Sequence, residues 1–366
     1  MKKGKKADRG ISTLLVGLLV FIFTLMFGFG APSTFAVELK WANFQTKDAD
    51  SIPPLMEWVK AIETKTNGAI KIKKYFVGEI AESKDLVALC RTGSIEMIST
   101  APVYYTGMFP ISSSLQSYYP LNNTVEQAVY TWRGLLKDLP EVQGEFAKQN
   151  LYCLNRSCLG VYKLVSKKPV RNLDDLKGMK LRIIGGDYPA LMVKAAGAVP
   201  VFQAMQDVYE GFMRGVTDGI LLGVPAIATW RLTEVGKYIG FPIGSVLGWA
   251  NCINMDVWKK LTPEQRGILQ QTAIEWGERD LRAMLANEDS FTQKLKGQGV
   301  QFLDFDKKDF KTIIERAGDP YAHCRNYLIQ GKVDEPVAAK FVKRWRELND
   351  EYEKNYLTSG KKWQYQ

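Results

Sequence analysis

The chain carries one histidine, His323, in 366 residues. That scarcity excludes a histidine-based nucleophile triad and a multi-histidine metal site. Its five cysteines are Cys90, Cys153, Cys158, Cys252 and Cys324. They form no Cys-x-x-Cys pair, and the odd number argues against a full disulfide framework. Cys153 and Cys158 stand close enough in sequence for a local disulfide, and most of the five read as small buried hydrophobes. No Gly-x-Gly-x-x-Gly follows a strand pattern, so "GSVLG" and "GDYPALMVKAAG" are not dinucleotide fingerprints. No phosphate loop and no nucleophile–base pair is present. No basic run is interleaved with stacking aromatics, which speaks against nucleic acid as a partner. After the first 36 residues no apolar run is long enough to span a bilayer, so the body is not itself a channel or carrier.

What is present begins with a leader pattern. Lys2, Lys3, Lys5, Lys6 and Arg9 precede an apolar run from Ile11 to Phe29, and small residues follow up to Ala36. This layout predicts a secretory signal spanning residues 1–36 and cut after Ala36, with an uncleaved anchor as the alternative. Either way the body is expected outside the cytoplasmic membrane, in the periplasm. The leader holds a net +4 of the chain's +10, which leaves +6 for the body. A small anionic ligand suits that balance better than a polyanion. Hydrophobic residues make up 46% and charged residues 24%, an ordinary globular composition with room for two domains.

The pattern along the body predicts an α/β fold. "VELKWANF", "AIKIKKYFVG" and "SIEMIST" read as strands, with helices between them over "SIPPLMEWVKAIETKTNG" and "KDLVALCRTG", the second capped by Ser83. That order predicts a parallel sheet covered by helices, with ligands gathering beyond the carboxyl ends of the strands. Those ends are "NFQTKDAD", "FVGEIAES" and "STAPVYYTG". "LYCLNRSCLGVYKLVSKKPV" reads as two strand pieces around Gly160 and marks a crossing into a second domain. "DLKGMKLRIIGG" is a short strand with Arg182 near its end, "DYPALMVKAAGAVPV" a helix, and "YIGFPIGSVLGWANCINMDVW" the return crossing. Thr262-Pro263-Glu264-Gln265 opens a helix that can run to about residue 296, roughly 50 Å.

Together these motifs resemble the extracytoplasmic solute-binding subunits of TRAP transporters, the DctP-type family. The resemblance rests on "IETKTNGAIKIKKYFVGEI", "GSIEMIST…YYTGMFP", "LKGMKLRI", "DVYEGFMRGVTDG" and "WKKLTPEQRGIL", in that order. It implies a two-lobe clamshell of the periplasmic-binding-protein kind, with one long helix spanning both lobes. The expected division is residues 37–159 with 250–285 in lobe I, and 160–249 with 286–366 in lobe II, the helix over about 263–296 being shared. It further implies a monomer that binds a small carboxylate between its lobes and docks on the membrane subunits of a transporter. No cofactor and no metal is implied. A ligand sensor for a membrane receptor, and an enzyme acting on a small acid, are the alternative readings.

Carried over to this chain, the arginine of "KLRI" is the family's carboxylate clamp, Arg182. A guanidinium offers two parallel N–H donors that match a carboxylate. Where many relatives have a second arginine this chain has Tyr162, with Arg156 six residues earlier as a possible substitute. Where relatives often have Glu or Asn after "DG", this chain has Ile220, Leu221 and Leu222. The cleft is therefore expected to suit a monocarboxylate with an apolar or aromatic body. Tyr104, Tyr105, Tyr118 and Tyr119 lie at or after strand ends, where some line the cleft and others pack in the core. Trp249 and Asn254 at the return crossing, with Asn254 alternatively a helix cap, and Gln45 and Glu79 on lobe I loops, complete the candidate ligand contacts.

Overall fold

The computed structural model describes residues 36–366 except 48, 50, 119, 120, 123, 185, 186, 204, 362 and 364–366. The expected leader thus lies outside the described residues. Among the described residues nine strands form one sheet. They are β1 (Val37–Asn43), β2 (Ile70–Tyr75), β3 (Met97–Thr100), β4 (Leu151–Ser166), β5 (Lys180–Ile183), β6 (Val199–Phe202), β7 (Gly219–Gly223), β8 (Tyr238–Asn254) and β9 (Gln301–Phe302). Their order is β2-β1-β3-β8-β4-β7-β5-β6, with β9 beside β8.

The sheet is mixed rather than parallel throughout. β1 runs parallel to β3, and β5 runs parallel to both β6 and β7. Between these two parallel halves stand β4 and β8, 16 and 17 residues long and antiparallel to each other. At about 3.3 Å per residue each extends roughly 50 Å, so the same two strands belong to both halves. β4 is one strand and not two pieces. The break expected at Gly160 is a local irregularity: the β4–β8 register shifts between Cys158 and Val161, and Gly160 has φ +78°. A Cβ at Gly160 would stand 3.2 Å from the Met284 sulfur, so both the backbone and the close approach call for glycine.

The first half packs as its alternation dictates. Leu39 and Trp41 of β1, with Ile70 and Ile72 of β2, face Leu55, Trp58, Val59 and Ile62 of the helix Ile52–Lys65. Ser83 does not cap the next helix. It begins a single 3-10 turn, Ser83–Asp85, and its hydroxyl donates instead to Phe44 O (3.3 Å). In the second half "AVPV" leaves the helix Asp187–Ala195 and becomes the edge strand β6.

The long helix runs Pro263–Gly297, 35 residues. Thr262 Oγ1 accepts from Gln265 N (3.1 Å) and Gln265 Oε1 accepts from Thr262 N (2.9 Å), a reciprocal cap. Three contacts fix it along its length. Trp58 Nε1 donates to Thr272 Oγ1 (3.3 Å), Cys158 N donates to Asp280 Oδ2 (3.1 Å), and Lys163 Nζ meets Glu288 Oε1 at 2.8 Å. The helix therefore touches the first half, the crossing and the second half in turn. All five cysteines are free and buried, so Cys153 and Cys158 form no disulfide.

Candidate functional site

The carboxyl ends of the parallel strands converge on a cavity of about 710 Å³ between the two halves. Phe44 and Gln45 follow β1, Ser83 and Lys84 follow β2, and Ala101, Tyr104 and Tyr105 follow β3. From the other half come Ile184 just after β5, and Leu222 and Gly223 at the end of β7. Leu159 and Tyr162 of β4 and Trp249 of β8 form the floor, with Met284 of the long helix beside them. This is the crevice that strand-end geometry favours for ligands in α/β sheets. Among the described lining residues Lys84 is the one ionisable side chain of either sign apart from tyrosines, and no carboxylate is present.

The wall in the first half is stitched by side-chain bonds. Tyr105 Oη donates to Ser83 O (2.6 Å), and Ser51 Oγ donates to Gln45 Oε1 (3.1 Å). Gln116 Oε1 accepts from Val103 N (3.1 Å) and so holds the turn that presents Tyr104. On the floor, Trp249 is 4% exposed and meets Phe44 edge-on, with ring centroids 5.8 Å apart. Its indole N–H has no hydrogen-bond partner among the described residues. A buried donor of that kind carries a desolvation cost until an acceptor arrives.

Arg182 lies on β5, fully buried, and its Nε donates to Gln203 O (3.1 Å). It is not among the lining residues; its charge acts on two residues that are, Tyr104 and Tyr162. Burial raises the Tyr162 phenol above the ordinary range; Tyr104, 52% exposed, is raised by the partial desolvation of its hydroxyl, and in both the positive charge of Arg182 works in the opposite direction. Both phenols therefore keep their protons at neutral pH and remain O–H donors beside a guanidinium.

Of the residues expected at the site, the structure brings Gln45, Tyr104, Tyr162 and Trp249 together in the cavity wall, with the charge of Arg182 acting on Tyr104 and Tyr162. It places four others elsewhere. Asn254 caps the helix Met255–Lys260, accepting from Asp256 N and Val257 N and donating to Cys90 O (2.7 Å). Arg156 is locked in the first half's core, donating to Ser112 O (3.0 Å) and Gly248 O (2.9 Å) and lying over Trp132. Glu79 closes its own turn by accepting from Phe76 N (3.0 Å). Tyr118 is 1% exposed and stacks on Tyr188 at 5.3 Å, so it belongs to the core. Tyr119 lies outside the described residues. Sequence reasoning missed Lys84, Met205, Trp230 and Met284. Lys84 adjoins a strand-end loop already singled out, whereas Trp230 and Met284 sit on or after helices and carry no local signal.

Two α/β halves joined by paired crossing strands and a shared helix, with a cavity at the junction, define the two-lobe solute-binding architecture. The chain belongs to the bacterial extracellular solute-binding protein family 7, DctP, whose model matches residues 52–325. It is similar to the C4-dicarboxylate-binding periplasmic protein DctP of Rhodobacter capsulatus, 24% identical over 274 residues that cover 71% of this chain and 78% of that protein. Among solved structures it resembles a TRAP periplasmic solute-binding protein from Desulfovibrio salexigens with bound orotic acid. That match has a TM-score of 0.73 at 18% identity and covers 86% of this chain and 99% of the other. A counterpart from a Sulfitobacter species with bound β-D-galacturonate gives a TM-score of 0.70 at 19% identity, covering 85% and 100%. No helix among the described residues is long and apolar enough to cross a membrane.

Proposed function

We propose that the protein captures a small organic acid outside the cytoplasmic membrane and delivers it to the membrane subunits of a TRAP-type secondary transporter. Family membership and the cavity at the lobe junction support this reading. The observation that carries it is the strand-end cavity itself, reached by Ile184 directly after the Arg182 strand and floored by Trp249, whose buried indole N–H has no acceptor among the described residues. A carboxylate entering there meets two phenol donors first, and it reaches the guanidinium when the Tyr104 and Tyr162 side chains part to admit it. Charge-assisted bonds contribute about 1.5–3 kcal/mol each, so Arg182 orients the ligand and the remaining walls supply the rest of a micromolar affinity of about 8 kcal/mol.

The body of the ligand is the finer part of the proposal. Phe44, Ile184, Leu222, Pro225, Trp249 and Met284 give the cavity mostly apolar and aromatic walls. They favour a monocarboxylate with an apolar or aromatic body, which sets the proposal apart from structural neighbours that hold the polar orotic acid and galacturonate. The hinge of this reading lies near residues 159–161 and 246–250, and the register shift between Cys158 and Val161 supports it. Ligand contacts with both walls then favour the closed state.

A thermal-shift screen against a library of organic acids tests the reading, using the mature chain from Val37 refolded free of carried-over ligand. Ligand at roughly 100 times its Kd stabilises by about 2.7 kcal/mol, a rise of several degrees for a body this size. Arg182→Ala abolishes the rise. A rise that survives this substitution removes Arg182 as the anchor, and a response limited to C4-dicarboxylates overturns the monocarboxylate assignment.

A further inference from the structure

The first half of the cavity presents a second pole, apart from Tyr162 and Ile184 of the other half. Lys84 is the one cationic side chain among the described lining residues. It sits in the Ser83–Asp85 turn, and that turn is fixed at two points: Ser83 Oγ bonds to Phe44 O, and Tyr105 Oη bonds to Ser83 O. Gln45, next in the chain to the Phe44 whose carbonyl holds Ser83, lines the same cavity. Its amide oxygen accepts from the Ser51 hydroxyl at 3.1 Å, which leaves its NH₂ as the other end. Both side chains thus offer donors, and no carboxylate of the lining competes for them. One acid group on Arg182 leaves this donor pair unmatched, because the walls between are apolar and aromatic.

We propose that Lys84 and Gln45 form a specificity-determining subsite for a second oxygen on the ligand, so that the preferred acid carries a hydroxyl or carbonyl at the end remote from its carboxylate. This inference rests on the Arg182 reading and adds the far end to it. The ligand spans the cleft: its carboxylate engages lobe II, its remote oxygen engages lobe I, and its apolar body lies against Phe44, Trp249 and Leu222. Such a ligand makes contacts that only the closed state completes. An acid without the remote oxygen leaves the donors of Gln45 desolvated on closure, which selects against it.

Calorimetric titration of matched pairs tests this: phenylacetate against para-hydroxyphenylacetate, and pentanoate against levulinate. The expected result is that the oxygenated member of a pair binds about tenfold more tightly. Lys84→Met and Gln45→Leu each bring the ratio within a pair down toward about twofold, while Arg182→Met weakens both members together. Equal binding of both members in the unsubstituted protein, or a ratio that Lys84→Met leaves unchanged, overturns the subsite while the anchor stands. Binding of every acid undiminished by Arg182→Met overturns the anchor instead, and with it the two-pole account.

Discussion

Polar residues at strand ends divide into those that serve the ligand cavity and those that serve the backbone, and the division decides what each substitution does. Asn254 spends its oxygen on two helix N–H groups and its NH₂ on Cys90 O. Asn254→Ala is expected to lower unfolding free energy by about 1–2 kcal/mol and to leave ligand affinity unchanged, read by urea denaturation beside calorimetry. Tyr162→Phe removes the phenol beside Arg182 and keeps the ring. Affinity for a carboxylate is expected to fall by about three- to tenfold, with little loss of stability. Tyr104, Gln45 and Trp249 were legible as cavity residues because each lies where a parallel strand ends or the chain recrosses, whereas Arg182 was singled out by the family resemblance. Glu79 and Asn254 occupy equally suggestive positions. Only local geometry reveals that Phe76 N and the helix Met255–Lys260 claim them first.

At the scale of elements, one buried carboxylate gives the fold a pH signature. Glu145 accepts from Ile111 N (2.9 Å) and Ser112 N (2.7 Å) at the start of the helix Pro110–Ser117. Burial pushes its pKa up from 4.5 to about 7, against the opposing pull of those bonds and of Arg156. The folded state therefore holds this proton more tightly than the unfolded chain does. The resulting stability is fully present below the unfolded value and is lost as pH rises through about 7. Urea unfolding is expected to show a decline on the order of 1–3 kcal/mol between about pH 5 and about pH 8, flattened in Glu145→Gln. Gly160 is the second element-scale position. With φ +78° and Met284 close by, Gly160→Ala is expected to cost about 1–2 kcal/mol in the same measurement.

The elements differ in how openly the chain declares them. The long helix was legible because its cap is reciprocal and no proline interrupts it, and its observed end at Gly297 lies one residue past the expected one. β6 was not. "VPVF" is a short apolar run following a helix, and periodicity cannot separate a four-residue edge strand from a continued helix. The continuity of β4 was equally hidden. A glycine with positive φ reads in sequence as a turn, whereas here it is a bulge inside one strand.

Across the whole molecule, two crossing strands, one long helix and a shared buried cluster that includes the Tyr118–Tyr188 stack link the parallel halves. Small-angle scattering is expected to show a smaller radius of gyration when a bound acid is present, with no change in Arg182→Ala. The two-lobe plan was legible from the order of the motifs. The composition of the cavity was not, because residues as distant as Phe44, Lys84, Trp230 and Met284 meet only through the fold.

The central claim concerns where the carboxylate of the ligand sits. A crystal structure of the closed protein with its best-binding acid answers it directly. The account predicts the carboxylate within hydrogen-bond reach of the Arg182 guanidinium and of the Tyr104 or Tyr162 hydroxyl, at about 2.7–2.9 Å. A carboxylate found on Lys84 instead, with Arg182 still sealed behind the tyrosines, contradicts it.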